Sequence, residues 1–159
     1  MDKLLALLNS RPIVDGEEQD ALAIPADGRR WARDRGGDGS LAELTLLRET
    51  RDVLRAVVCG DRPATAVRPL LDGVQQVPEV TSDGLQWTVW TLPHARLAVE
   101  IVLAWAAVEK ELPGRLRPCA NDECRLFLLD RSRANRARWC SMAVCGNRAK
   151  ARRHYERTR

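Results

Sequence analysis

Four cysteines in the last quarter of the chain stand in two matched pairs, Cys119-x4-Cys124 and Cys140-x4-Cys145, with fifteen residues between the pairs. Thiolates in two close pairs are what a tetrahedral zinc site uses: each pair clips a turn of backbone to the ion, and the spacer carries the second pair round. The usual spacing puts two residues inside each pair, so the four here are a departure. The competing arrangement is two disulfides in an exported protein. The N-terminus carries Asp2 and lacks both a basic stretch and a small-residue cleavage site, so nothing supports export. A reducing compartment follows, where cysteine clusters bind metal instead of pairing. The expectation is one structural Zn2+ on Cys119, Cys124, Cys140 and Cys145. Four thiolates leave no open position for an activated water. His94 and His154, the two histidines, are not expected on the ion. No nucleophile elbow, phosphate loop or HExxH occurs, so no catalytic residue is assigned and the chain reads as a non-enzyme. A redox switch, in which oxidised thiols release the ion, is a further role open to such a cluster.

These cysteines need elements to hold them. Leu126 to Leu129, turn material from Asp130 to Asn135, and a return from Arg136 to Trp139 read as a hairpin between the pairs. The second pair leads straight into a helical sequence, Asn147 to Glu156, free of Pro and Gly. Gly146 after Cys145 permits tight backbone at the metal. Knuckle, hairpin and helix, with the last ligands at the helix start, is a treble-clef layout. Some forty residues cannot bury a sufficient core alone, and zinc supplies roughly 10–16 kcal/mol of apparent folding free energy to such a module. Phe127 and Met142 are expected to fill its small core. Trp139 is expected to cover the site or pack on the body. Asn147 is expected to orient a thiolate or cap locally.

The run Trp139-Cys140-Ser141-Met142-Ala143-Val144-Cys145-Gly146-Asn147-Arg148-Ala149-Lys150 resembles the signature of the CGNR zinc-finger family. Cys119-x4-Cys124, Leu126-Phe127 and Asp130-Arg131-Ser132 fit the same pattern. Members are bacterial proteins described as transcriptional regulators, and they pair this finger with an N-terminal ABATE domain, a stress-induced regulator module. Leu8-Asn9-Ser10, Asp20-Ala21-Leu22 and Trp31 carry a looser likeness to that module. The resemblance implies zinc-dependent regulation of transcription, with double-stranded DNA as the partner.

Charge supports a polyanion partner independently. Residues 115–159 hold 13 Lys and Arg against 4 Asp and Glu, a net of +9, whereas the first 114 hold 13 against 18, a net of −5. An acidic body with a basic tail points to nucleic acid at the tail. Helical projection puts Lys150, Arg153 and Arg157 on one stripe, and Arg148 and Arg152 on a second beside Tyr155. The hairpin turn adds Arg131, Arg133, Arg136 and Arg138. Arg forks match phosphate oxygens. The pattern alone does not separate DNA from RNA or from an acidic protein, so an RNA-, ribosome- or protein-binding zinc adaptor stays open as the alternative. A homodimer is compatible with either role.

The remainder reads as a mainly α domain over residues 1–114 with one small antiparallel β-hairpin, joined by a short linker, Arg115 to Pro118, to a finger over 115–159. Leu4, Leu5, Leu7 and Leu8 form a short amphipathic helix, and Asn9 to Ile24 is irregular. Pro25 opens a helix carrying Trp31. Ser40-Leu41-Ala42-Glu43 is a capping box that starts a helix ending at Gly60. Its expected inner stripe is Leu41, Leu44, Leu47, Leu54 and Val58. Cys59, at its end, is expected to be buried and inert. Ala64 to Leu71 is expected to be helical. Asp83-Gly84 between alternating runs marks the hairpin, Val74 to Trp90. Leu92 to Glu111, apolar nearly all round, is expected to be the buried central helix. Trp87 and Trp90 with Arg96 are candidate lining for a ligand pocket. No apolar run is long enough to span a bilayer, and the expected location is the bacterial cytoplasm.

Overall fold

The computed structural model describes residues 2–14 and 16–157. Residue 1, and Thr158 and Arg159 at the end of the expected finger, lie outside the described residues. Helix α1 (Asp2–Leu8) buries Leu4, Leu7 and Leu8, one face of a helical repeat. A two-residue strand pair, β1 (Ile13–Val14) with β2 (Glu17–Glu18), follows in the stretch expected to be irregular. Pro25 occupies the first turn of α2 (Pro25–Arg33), where its missing N–H costs nothing.

Helix α3 (Leu41–Cys59) starts as the capping box requires: Ser40 Oγ accepts the Glu43 N–H at 3.0 Å. The reciprocal bond differs. The Glu43 carboxylate takes the Gly39 N–H at 2.6 Å, and the Ser40 N–H goes to Asp38 at 2.7 Å. Gly60, at φ 83°, closes the helix in the left-handed conformation. Leu44, Leu47 and Leu54 face inward, but Leu41 is exposed because the first helical residue lies beyond the turns it would pack on. Cys59 corrects an expectation: it is exposed, since the last turn of α3 runs out past the core. Its thiol is nonetheless pushed up, first by partial burial and then by Asp61.

A 3-10 stretch, Ala64–Leu71, carries Pro69 and closes one side with Val67 and Leu70. Strands β3 (Gln75–Thr81) and β4 (Gly84–Trp90) pair antiparallel from Gln75↔Trp90 to Thr81↔Gly84 around a Ser82-Asp83 turn. A 3-10 turn, Pro93–Ala95, leads into α4 (Arg96–Glu111). Helix α4 buries Leu97, Ala98, Val99, Ile101, Val102, Trp105 and Val108, as a central helix must. The fold is mainly α, as the sequence indicated. No helix among the described residues is long and apolar enough to cross a membrane.

The linker and the second hairpin are corrected together. Leu116–Pro118 is a strand, β5, paired antiparallel with β6 (Phe127–Leu129) through Leu116↔Leu129, Arg117↔Leu128 and Pro118↔Phe127. Residues 136–139 form no strand. The turn carrying Cys119 and Cys124 reverses the chain, so its two flanks meet before any later segment can compete. This hairpin is bolted to the helices. Leu116 and Phe127 join the same buried cluster as the α1, α3 and α4 side chains. Asn9 grips the β6 backbone twice: its Nδ2 donates to Phe127 O at 3.1 Å, and its Oδ1 accepts the Phe127 N–H at 2.7 Å. Arg55 donates to Leu8 O and to Arg125 O, and its guanidinium lies 4.8 Å over the Phe127 ring. Beneath, the buried Arg51 makes a forked bond to Asp20 and a third to Ser10 Oγ.

Two measurements follow. Asn9→Ala leaves the Phe127 amide without its partner and should lower unfolding free energy in urea by about 1–3 kcal/mol. For Asp20, burial opposes ionisation, but hydrogen bonds from Arg51 and the Leu22 N–H and the Arg51 charge outweigh it, so its pKa is lowered. A lowered folded pKa stabilises the fold above the unfolded value of about 4, and that stabilisation is lost as pH falls below it. Asp20→Asn should therefore be less stable than wild type at neutral pH, with the difference narrowing as stability is followed below about pH 4.

Candidate metal centre

Cys119 and Cys124 flank the turn between β5 and β6. The turn is closed by the Cys124 N–H on Asn121 O at 2.8 Å and tied to the later segment by the Ala120 N–H on Arg138 O at 2.8 Å. Cys145 sits in a wide helical turn, Met142–Gly146, sealed by the Gly146 N–H on Ser141 O, five residues back. That turn runs into α5 (Asn147–Arg157). A Cβ on Gly146 would lie 2.8 Å from Met142 Cε and 3.4 Å from Trp139 Cδ1, so the Met142 side chain would have to shift to admit one. Met142 thus lies across Gly146 and stays 55% exposed. The expectation that it fills a small core is corrected: its side chain caps the turn from outside. Phe127 is buried, but in the main core shared with the helices.

The four Sγ atoms all lie within 4.8 Å of one another. Two edges are 3.6 Å (Cys124–Cys140) and 3.7 Å (Cys140–Cys145). A tetrahedron of sulfurs about 2.3 Å from zinc has edges of about 3.8 Å, so the cage has the size of one zinc ion. The cysteines are free thiols, and these separations are far beyond a disulfide bond of about 2.05 Å. Electrostatics agrees. Burial pushes the Cys124 thiol up, and burial with the neighbouring Cys124 and Cys145 sulfurs pushes Cys140 up strongly. Burial also opposes a Cys119 thiolate, but N–H groups of Cys140 and Asn121 outweigh it and draw its pKa down. Four sulfurs this close ionise together only around a cation, which a divalent ion supplies. The four cysteines are positioned to hold one structural Zn2+. Neither histidine belongs to the cluster.

Two residues that support the site were missed in the sequence. Asn121, 5% exposed, donates from Nδ2 to Cys145 Sγ at 3.6 Å, linking the two halves. Asn147, the asparagine singled out from the sequence, caps locally on Ala143 O instead. Asp130, read as turn material, is buried and organises the loop after β6. It accepts the Ser132 and Ala137 N–H groups and Arg117 Nη2, each at 2.8 Å. The Ser132 hydroxyl first, then these amides and Arg117, hold its carboxyl down to about 2. Asp-x-Ser after a short apolar run is an Asx-turn signal and was the available clue.

Of the predicted basic residues, Arg131, Arg133, Arg136 and Arg138 are exposed on the loop that Asp130 holds. Arg148, Lys150, Arg152, Arg153 and Arg157 are exposed on α5, whose described side chains from Lys150 to Arg157 all face solvent. Only Ala149 of that helix is buried. A recess of about 570 Å3 beside the loop is lined by Arg117, Arg136 and Arg138 over Pro118, Ala120 and Ala137. Trp87 and Trp90 are exposed on β4, and Arg96 is exposed at the start of α4. Being three residues apart on a strand, the two tryptophans leave opposite faces of the hairpin, so one pocket wall cannot use both.

Two family models match. That of the CGNR zinc finger covers residues 115–158, and that of ABATE, described as "Putative stress-induced transcription regulator", covers residues 3–120. The two overlap across β5, the strand that joins the hairpin to the helical core. No curated protein matches the chain.

In Asp130→Asn the carboxylate charge that holds Ser132, Ala137 and Arg117 is gone, while no thiol is touched. Amide exchange at Ser132 and Ala137 should accelerate by about tenfold or more, with one zinc per chain retained by metal analysis.

Proposed function

The chain belongs to the ABATE family of stress-induced transcription regulators and ends in a CGNR zinc finger, and from that premise we propose that it is a zinc-dependent, DNA-binding regulator of a bacterial cytoplasm. Residues 115–159 are the DNA-contacting finger and residues 1–114 the regulatory body. Cys119, Cys124, Cys140 and Cys145 bind the ion, whose part is to fix the turn and α5 relative to the loop at 131–138.

The observation that carries this reading is how the arginines are divided. Those facing the core are spent inside the molecule: Arg51 on Asp20 and Ser10, Arg55 on Leu8 and Arg125, Arg115 on Asp130 and Ser132, and Arg117 on Asp130 and Asn135. The basic side chains of α5 and the 131–138 loop are exposed to solvent even where they make local contacts, as Arg153 does with Ala149 O at 3.3 Å and Arg138 with the Trp139 ring at 5.4 Å. Displayed guanidinium forks on a rigid support track phosphates, and a few reach base edges. The recess rimmed by Arg136 and Arg138 suits a phosphate with its sugar against the alanines and Pro118. An interior role for α5 would need it packed against the acidic body, and its exposure runs against that.

Binding to random duplex should weaken by about 10³-fold or more between 50 and 200 mM salt if about six phosphates are engaged. Arg153→Ala with Arg157→Ala should lower the salt slope by about two and weaken binding at all sequences alike, with zinc content unchanged. A flat salt response, or unchanged affinity in the double variant, would remove the helix from the interface. Preference for single-stranded RNA in competition would favour the adaptor role instead.

A further inference from the structure

Strands β3 and β4 form a ribbon that stands almost wholly in solvent. All seven residues of β3 are exposed, and five of the seven in β4. Alternation along the strands sorts the side chains onto two faces. The register pairs Pro78 with Trp87, Val80 with Leu85 and Gln76 with Val89. One face is therefore Gln76, Pro78, Val80, Leu85, Trp87 and Val89, five apolar residues and no charge. The other carries Gln75, Val77, Glu79, Thr81, Gln86, Thr88 and Trp90, with Glu79 bonded to Thr88 Oγ1 at 2.7 Å. On the apolar face Val80 is 86%, Leu85 63% and Trp87 62% exposed. Apolar side chains of this size are normally what a fold hides, and a contiguous exposed set marks a contact surface.

We propose that this face is a self-association surface, on which the apolar side of the ribbon packs against the same side of a second copy of the chain. Three features select that occupant. The face is neutral, so two copies meet about a two-fold axis without like-charge conflict, whereas an acidic or basic partner finds no counter-charge. Its size suits a small interface: the exposed parts of Val80, Leu85, Trp87 and their neighbours offer on the order of 500 Å2 per copy, about 1,000 Å2 over two copies, at the lower end of specific contacts. Packing by faces is favoured over edge addition on the β3 side, because Pro78 has no N–H to give a neighbouring strand. The inference is independent of what the finger binds. Its consequence is that two fingers are carried by one assembly.

The ribbon supplies its own control. Trp87 and Trp90 lie on one strand with nearly equal exposure, 62% and 60%, on opposite faces. The full-length zinc-loaded chain is run by sedimentation velocity and by light scattering, from low to high micromolar. The wild type should approach twice its chain mass of 17.8 kDa. Trp87→Gln with Leu85→Gln should raise the dimer dissociation constant by about 100-fold or more, while Trp90→Gln leaves it within about threefold of wild type. Zinc content and helical circular dichroism report whether each variant is folded. If the pair at 85 and 87 costs the fold, Val80→Lys gives the same reading from the partner strand. A wild type that stays monomeric throughout overturns the proposal, as does a dimer that Trp90→Gln weakens as much as Trp87→Gln with Leu85→Gln.

Discussion

Four sulfur atoms held within 4.8 Å of one another are an arrangement that ionised thiols resist and a divalent cation resolves. Almost everything in the last third of the chain depends on that. The turn between β5 and β6, the wide turn at Met142–Gly146 and the start of α5 are three separate pieces of chain, and of α5 only Ala149 is buried. Metal coordination is the bond that sets those three pieces in one geometry. Cys145 lies two residues before the first residue of α5.

The metal centre is not free-standing. One strand pair connects it to the helical core, and that pair is fastened by three kinds of force: burial of Leu116 and Phe127, the two-point grip of Asn9, and the Arg55 guanidinium laid on the Phe127 ring. The α1–α3 junction, β6 and the turn holding Cys119 and Cys124 thus form one continuous set of contacts. That continuity joins the helical core to the metal centre. It also explains why the family matches overlap on β5: that strand is covalently part of one unit and packs as part of the other.

Charge is distributed by the same logic. Inside, each arginine is matched to carbonyls or a carboxylate, with Asp20 and Asp130 held ionised by their donors. Outside, α5 and the 131–138 loop collect positive charge. The ribbon of β3 and β4 carries an uncharged apolar face. The molecule thus separates a core, a cationic end and a neutral apolar face.

Much of this was readable from residue types, because local chemistry leaves local marks. The cysteine spacing named the ligands, Ser40 and Gly60 bounded α3, Asp83-Gly84 placed the ribbon turn, and the all-round apolar pattern of Leu97 to Val108 identified the central helix. What failed to read were contacts between distant residues. Periodicity could not reveal that Leu116 and Leu129 would pair, since the partner of a short strand is chosen by the turn and by the surface it lands on. Nor could it separate Asn121 from Asn147, which differ only in which asparagine the folded chain brings to a sulfur. Cys59 and Met142 look like core residues by type, and only position puts them outside: Cys59 ends its helix, and Met142 lies over the outer side of the turn it begins. Hydrophobicity is a property of a side chain, whereas burial depends on whether the rest of the chain arrives to cover it.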